Sequence, residues 1–189
     1  MVNVDQRPPI FALLERTLGL APGAVPFEQV LLVKRVLVEV FSDAASAILV
    51  DPNFGYPAAA GLLNPARGLL MTLEDHRTTP DRRSSTIADW SVARIRALGG
   101  DAVKLLAWYR PRAGTAVREH QQAWVQRVGE DCARHDIPFV LELLLYHCTA
   151  TTLPPLVKTA PSAPTRCFKV SRSLPTPAFG STCSSSKAR

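Results

Sequence analysis

Hydrophobic and polar residues form two kinds of pattern along residues 1–150. Short, nearly all-apolar runs that end in polar residues are typical of parallel strands buried on both faces. Apolar residues spaced three or four apart are typical of amphipathic helices. The strand-like runs are MVNVDQ (1–6), SAILVDP (46–52), ARGLLMTLED (66–75), DAVKLLAWY (101–109) and IPFVLELLLYH (137–147). The helical segments are PFEQVLLVKRVLVEVFSDA (26–44), TIADWSVARIRALGG (86–100) and VREHQQAWVQRVGEDCARHD (117–136).

This alternation predicts an α/β protein with a parallel sheet. Five strands that each end in polar residues favour an incomplete (β/α)8 barrel of the TIM type, with about the first five βα units. In such a barrel the active site lies at the carboxyl ends of the strands. A doubly wound open sheet is the competing topology, but VDQRPPI (4–10) stands where its glycine-rich phosphate turn would follow the first strand.

The composition changes after residue 150. Of the 39 residues from Thr151 to Arg189, 19 are Ser, Thr or Pro, and no apolar periodicity is left. We therefore predict a partial (β/α) barrel domain over residues 1–158. Residues 159–189 are predicted to form a low-complexity tail that is either disordered or frameshifted.

The net charge of +6 lies entirely in this last part of the chain. Residues 1–150 carry 16 basic and 16 acidic side chains, whereas residues 151–189 carry six basic side chains and no acidic one. Excess charge without a folded basic face does not indicate nucleic-acid binding. The sequence also lacks an apolar run of membrane-spanning length and the pattern of a signal peptide. We expect a cytoplasmic protein without nucleic-acid or membrane partners, and homo-oligomerisation stays open.

Two charged residues interrupt otherwise apolar strands. Lys104 lies within DAVKLLAWY, and Glu142 lies within IPFVLELLLYH. Burying a charge is costly unless the charge is paired or used. The four cysteines show no CxxC or Cys/His spacing, so we expect free thiols and neither a metal site nor a cofactor.

Five segments carry a family resemblance, in the same order along the chain as in the family. They are VDQRP (4–8), ASAILVDPNFGYPA (45–58), GLLMTLE (68–74), DWSVARIRALGGDAVKLLAWYRP (89–111) and RVGEDCARHDIPFVLELLLY (127–146). Together they resemble the tagatose-1,6-bisphosphate aldolases, which are class I, Schiff-base enzymes, and the related sulfofructose-phosphate aldolases. The resemblance implies a lyase of carbohydrate metabolism that reversibly cleaves a ketose 1,6-bisphosphate into dihydroxyacetone phosphate and an aldehyde phosphate.

The resemblance also implies roles for individual residues. Lys104 would lie near the reacting carbon and a phosphate, and Glu142 would be the general acid and base. The implied substrate-binding residues are Asp5, Gln6, Arg7 and Asp51. Alternatives stay open for several of them: Lys104 and Glu142 could form a structural ion pair, Asp51 could cap a turn, and Arg7 could be a surface residue.

One family segment is absent from this sequence. In the family the covalent lysine lies on the sixth strand, in a segment resembling DPRFGVDLLKLE, so Lys104 is predicted to be the supporting lysine. The codons of PTPAFGSTCSSSKAR (175–189), taken one base earlier, permit DPRF-x-VDLLKLE. We therefore hypothesise a frameshift between about residues 158 and 176, in the gene or in its sequencing. The truncated chain is expected to be impaired as an aldolase. The alternatives are a non-catalytic phosphosugar-binding or regulatory remnant and a partial barrel that does not stay folded.

Overall fold

The structure of the chain is a computed structural model that describes residues 1–77 and 79–146. The predicted tail over residues 159–189 and the segment of the frameshift hypothesis lie outside the described residues. The proposed boundary at residue 158 also lies outside them, so this division of the chain stays a prediction.

Five parallel strands form one sheet in the order β1-β2-β3-β4-β5. The strands are β1 (Val2–Val4), β2 (Ala47–Val50), β3 (Gly68–Thr72), β4 (Ala102–Tyr109) and β5 (Phe139–Leu145). In the register of the sheet, Thr72 lies beside Lys104 and Leu106 lies beside Glu142. The predicted parallel sheet of five strands is confirmed.

The sheet curls into part of a barrel. Neighbouring strands lie about 4.8 Å apart, so β1 and β4 would be about 14 Å apart in a flat sheet. Lys104 Nζ nevertheless lies 2.9 Å from Oδ2 of Asp5, the residue that follows β1. The strands therefore form a curved, incomplete (β/α) barrel, and the predicted fold class is confirmed.

Helices cover the outer face of the curved sheet. They are α1 (Pro8–Leu18), α2 (Phe27–Phe41), α3 (Gly55–Ala59), α4 (Val92–Ala97) and α5 (Thr115–Arg134). The main apolar cluster includes Ile48, Met71 and Leu105 from the strands and Val38 and Trp124 from the helices. Leu49, Leu70 and Ala102 alternate with these strand residues and form a small separate cluster on the inner face. Within the described residues, no helix is long and apolar enough to cross a membrane.

Helix α1 was not predicted from the sequence. It begins with Pro8 and Pro9, whose missing N–H groups cost nothing in the first turn of a helix. Its buried residues Ile10 and Leu14 pack with Val30 of α2 in a second apolar cluster. The two prolines after β1 therefore start a helix at a position where the sequence pattern indicates just the end of a strand.

The helix predicted over residues 86–100 is wrong at its start. Helix α4 begins at Val92, and the Ser91 hydroxyl accepts a hydrogen bond from the backbone N–H of Arg94 at 3.2 Å, which makes Ser91 its N-cap. Upstream of it, Thr86 pairs with Glu74 in an antiparallel bridge, and Asp89 has a positive φ of 55°. Both features exclude a helix there, so residues 75–91 form a long connection at the carboxyl ends of the strands.

Candidate active site

Polar side chains gather on the inner face of the sheet, level with the carboxyl ends of β1 and β3. Asp5 directly follows β1, and Glu74 follows β3 by two residues. Lys104 belongs to β4 and Glu142 to β5, and both point inward because they alternate with the outward-facing apolar residues of their strands. Parallel strands bring such side chains to one edge, which is where barrel enzymes build their sites.

Lys104 is the centre of this group. Its Nζ lies 2.9 Å from Asp5 Oδ2, 3.1 Å from Glu142 Oε2 and 3.4 Å from Glu74 Oε1. The side chain of Lys104 is 4% exposed. Three carboxylates from three parts of the sheet therefore surround one buried ammonium group.

These carboxylates keep Lys104 protonated. Burial pulls the pKa of Lys104 down, because desolvation disfavours the charged form. The charges of Glu74 and Asp5 and the hydrogen bonds to Asp5 and Glu142 outweigh that effect, so the pKa of Lys104 lies above its ordinary value. A lysine of this kind is a fixed cation and a hydrogen-bond donor, whereas nucleophilic attack requires a neutral amine.

Arg7 reaches the same group through Glu74. Its Nη2 donates a hydrogen bond to the carbonyl oxygen of Glu74 at 3.2 Å and lies 3.5 Å from Glu74 Oε1. Glu74 Oε2 accepts a hydrogen bond from the backbone N–H of Leu106 at 3.1 Å. Burial raises the pKa of Glu74 in spite of the neighbouring charges of Lys104 and Arg7. Arg7 is 4% exposed, so the alternative of a surface residue is wrong.

Glu142 differs from the other two carboxylates in its exposure. Its side chain is 44% exposed, whereas those of Asp5 and Glu74 are 10% and 5% exposed. Glu142 is therefore the carboxylate of this group that a molecule entering from solvent can reach directly.

Asp51 belongs to a different arrangement. Its Oδ1 accepts hydrogen bonds from the backbone N–H groups of Asn53 at 3.1 Å and Phe54 at 2.8 Å, and its Oδ2 accepts one from Gly55 at 3.1 Å. Oδ2 also forms an ion pair with Lys34 of α2, and both side chains are fully buried. This geometry matches the turn-capping alternative for Asp51, and its role in substrate binding stays a prediction.

The structure thus brings together three of the six predicted site residues in direct contact. These are Asp5, Lys104 and Glu142, with Arg7 joined to them through Glu74. Gln6 is exposed. The predicted pairing of Lys104 with Glu142 is present, but it is one of three such contacts, so the two residues do not form an isolated ion pair.

Two buried charged residues were missed from the sequence. Glu74 ends the run GLLMTLE, and its spacing of two from Thr72 places it on the inner face. Lys34 lies four residues from both Val30 and Val38, which are the other buried positions of α2. In both cases the signal was a charged residue at a position that the strand or helix periodicity places on the buried face.

A curved parallel sheet with its charged cluster at the carboxyl ends of the strands places the chain in the (β/α)-barrel class of proteins. Within this class, a family profile described as DeoC/LacD family aldolase matches residues 18–163, which is more than half of the chain. The chain therefore belongs to the DeoC/LacD aldolase family, and the resemblance stated from its motifs is confirmed.

Curated relatives agree with this assignment. The chain is 38% identical over 116 residues to tagatose 1,6-diphosphate aldolase 2 of Enterococcus faecalis, which covers 60% of the chain and 35% of the relative. It is 34% identical over 150 residues to tagatose 1,6-diphosphate aldolase 1 of Streptococcus mutans, which covers 78% of the chain and 45% of the relative. A second aldolase of that organism is 36% identical over 146 residues. The chain thus spans less than half the length of the curated relatives that it matches.

Proposed function

We propose that the charged group on the inner face, here called the inner cluster, forms the substrate-binding part of a class I aldolase site for a ketose bisphosphate of the tagatose type. The inner cluster consists of Asp5, Arg7, Glu74, Lys104 and Glu142. The observation that carries this proposal is the protonated Lys104 held among the carboxylates of Asp5, Glu74 and Glu142. The membership in an aldolase family and the names of the curated relatives support it.

Lys104 acts in this proposal as a fixed positive charge. In a class I cleavage the electron pair of the C3–C4 bond passes to the iminium, while the oxygen at C4 becomes negatively charged as its proton leaves. A preorganised cation in a buried site stabilises the charge on that oxygen strongly. Its raised pKa makes Lys104 a poor candidate for the covalent nucleophile. Lys34 has a lowered pKa, chiefly because burial disfavours its charged form, but its side chain is fully buried against Asp51 and closed to substrate.

Glu142 is the proposed general acid and base. Cleavage between C3 and C4 of a ketose requires removal of the proton from the C4 hydroxyl, and a positioned carboxylate can accept it. Glu142 suits this step better than Asp5 or Glu74, because it is half exposed and can reach an incoming hydroxyl. Its contact with Lys104 keeps it close to the group that carries the developing charge.

Trapping and binding experiments test the proposal together. The chain is incubated with dihydroxyacetone phosphate and borohydride, and the adduct is located by mass spectrometry. We expect no adduct on Lys104, and an adduct there would give Lys104 the covalent role instead. Dihydroxyacetone phosphate is expected to raise the melting temperature of the chain but not that of Lys104→Met. Equal stabilisation of both proteins would remove the cluster from the binding site.

An assay of ketose-bisphosphate cleavage, run beside the melting experiment, tests the rival function. Stabilisation of the chain by a sugar phosphate without cleavage of any ketose bisphosphate would favour a non-catalytic phosphosugar-binding protein. The nucleotide sequence from about codon 150 onward tests the frameshift hypothesis independently. Absence of aldolase motifs in every phase beyond that codon would end it.

A further inference from the structure

A second group of charged and aromatic side chains lies above the inner cluster, toward the rim of the sheet. Trp108 is four residues after Lys104 on β4, so it lies on the same face and about 13 Å further along the strand. Its ring packs edge-on against Tyr146, with the ring centroids 6.1 Å apart. We propose that Arg82 and Arg110, which flank this aromatic pair, bind a terminal phosphate of the substrate. This inference rests on the proposed aldolase function.

The two arginines are held in place by stacking. The guanidinium carbon of Arg82 lies 4.5 Å from the centre of the Trp108 ring, and that of Arg110 lies 5.5 Å from the centre of the Tyr146 ring. An arginine that stacks on an aromatic face keeps its N–H groups free, because they point outward in the plane of the guanidinium group. Both arginines can therefore donate to an anion without giving up their packing.

Among residues 1–77 and 79–146, no carboxylate pairs with either arginine. The adjacent Arg83, by contrast, pairs with Asp81 at 2.9 Å. In addition, Nε of Arg110 is buried and has no acceptor within the described part of the chain. A buried donor without a partner is unfavourable, and a phosphate oxygen would satisfy it.

The inner cluster cannot supply this charge. Lys104 and Arg7 provide two positive charges there, and Asp5, Glu74 and Glu142 provide three negative ones. A phosphate dianion placed directly on that group would meet a net negative charge. The uncompensated cations at the rim are the better place for a phosphate remote from the reacting carbon.

The connection that carries Arg82 is fixed to the rest of the fold. The buried Gln121 of α5 accepts a hydrogen bond from the backbone N–H of Ser84 at 2.8 Å and donates one to the carbonyl of Trp108 at 2.7 Å. The Tyr146 hydroxyl donates to the carbonyl of Asp81 at 3.2 Å. Arg82 itself has a φ of 61°, a left-handed conformation that is unusual for a residue with a Cβ. These contacts preorganise the arginine before any ligand arrives.

Calorimetric titration with D-glyceraldehyde 3-phosphate tests the inference. Arg82→Gln and Arg110→Gln are each expected to weaken binding about tenfold, since one charge-assisted hydrogen bond is lost. Arg127→Gln, which changes an exposed arginine on α5, is the matched control and should bind like the unaltered chain. Inorganic phosphate should compete with the ligand, and unphosphorylated glyceraldehyde should not bind at the same concentrations.

The outcomes separate this inference from the proposed function. Unchanged affinity in both arginine variants, with affinity lost in Lys104→Met, would overturn the rim site and leave the aldolase site standing. Affinity lost in the arginine variants but unchanged in Lys104→Met would overturn the role proposed for the inner cluster and leave the rim site standing. As a check that needs no variant, modification of arginines by phenylglyoxal is followed by mass spectrometry. The ligand should protect Arg82 and Arg110 but not Arg127, and equal modification with and without ligand would overturn the site.

Discussion

The chain contains two buried lysines that the protein treats in opposite ways. Lys34 has one carboxylate partner, Asp51, and a backbone acceptor, the carbonyl of Val4 at 2.6 Å. Burial lowers its pKa in spite of that partner. Lys104 has three carboxylate partners, and its pKa is raised although burial opposes this.

The difference distinguishes a closed, structural charge from the charge that we propose is functional. Lys34 and Asp51 neutralise each other and are closed to solvent on every side, so they tie α2 to the end of β2. The cluster around Lys104 has more negative than positive charge and is open at Glu142. An open site with an excess of one charge can still bind a ligand, whereas a closed and balanced pair cannot.

The largest effect is expected from breaking the closed pair. Lys34→Met leaves the buried charge of Asp51 uncompensated and should lower the free energy of unfolding by about 3 kcal/mol. Urea denaturation measures the change. The double variant Lys34→Met/Asp51→Asn keeps one acceptor oxygen for the N–H groups of the turn and should recover part of the loss. Arg35→Met, which breaks the exposed pair with Glu39, is the control and should cost less than about 0.5 kcal/mol. Similar losses for Lys34 and Arg35 would contradict the structural role.

A smaller and pH-dependent decrease in the free energy of unfolding is expected from Lys104→Met. Burial already raises the pKa of Glu74, and without the cation that opposes this shift Glu74 binds its proton still more readily in the folded than in the unfolded state, so stability falls as pH rises. The deficit relative to the unaltered chain should reach about 2 kcal/mol near about pH 8 and shrink near about pH 5. Urea denaturation at both pH values measures it. A deficit that is the same at both would mean that the carboxylates do not respond to Lys104.

The pattern of the sequence was sufficient for most of the sheet. Apolar runs ending in polar residues located β1 to β5, because a strand buried on both faces leaves little choice of residue type. The helical spacing of apolar residues was misleading over residues 86–91. No helix forms there, and Thr86 pairs with Glu74 instead. Tertiary pairing of that kind has no local signal, so the long connection after β3 could not be foreseen.

The site was predictable in part for a related reason. Lys104 and Glu142 stand out in the sequence as charges in apolar strands, and the family resemblance added Asp5 and Arg7. Glu74 did not stand out, since an acid after a strand is common and its partners are about 30 residues or more away along the chain. No pattern along the chain indicates that Asp51 faces Lys34, because that contact depends on the angle at which α2 packs on the sheet.

Removing the strongest neighbouring charge should change the protonation of Lys104 more than its position. Glu74 is the carboxylate whose charge does most to raise the pKa of Lys104, so Glu74→Gln should lower that pKa. The amide can still accept the hydrogen bond from Leu106. A titration of the lysine side chains followed by NMR measures the change, with Lys104→Met to assign the signal. The normal contribution of Lys104 to stability, present below its unfolded pKa of about 10.4 and lost as pH rises through the raised folded value, should end at lower pH. An unchanged pKa would contradict the assigned cause.

The smallest effect on stability is expected from Glu142→Gln, at the open side of the cluster. Its side chain is partly exposed and its hydrogen bond is the least of the named contributions to the pKa of Lys104, so solvent should compensate for the lost charge. The free energy of unfolding should change by less than about 0.5 kcal/mol, and the pKa of Lys104 should fall less than in Glu74→Gln. Urea denaturation and the same NMR titration measure both. A residue that serves in proton transfer need not stabilise the fold. A decrease in the free energy of unfolding comparable with that of Lys34→Met would therefore make Glu142 a structural partner of Lys104 instead.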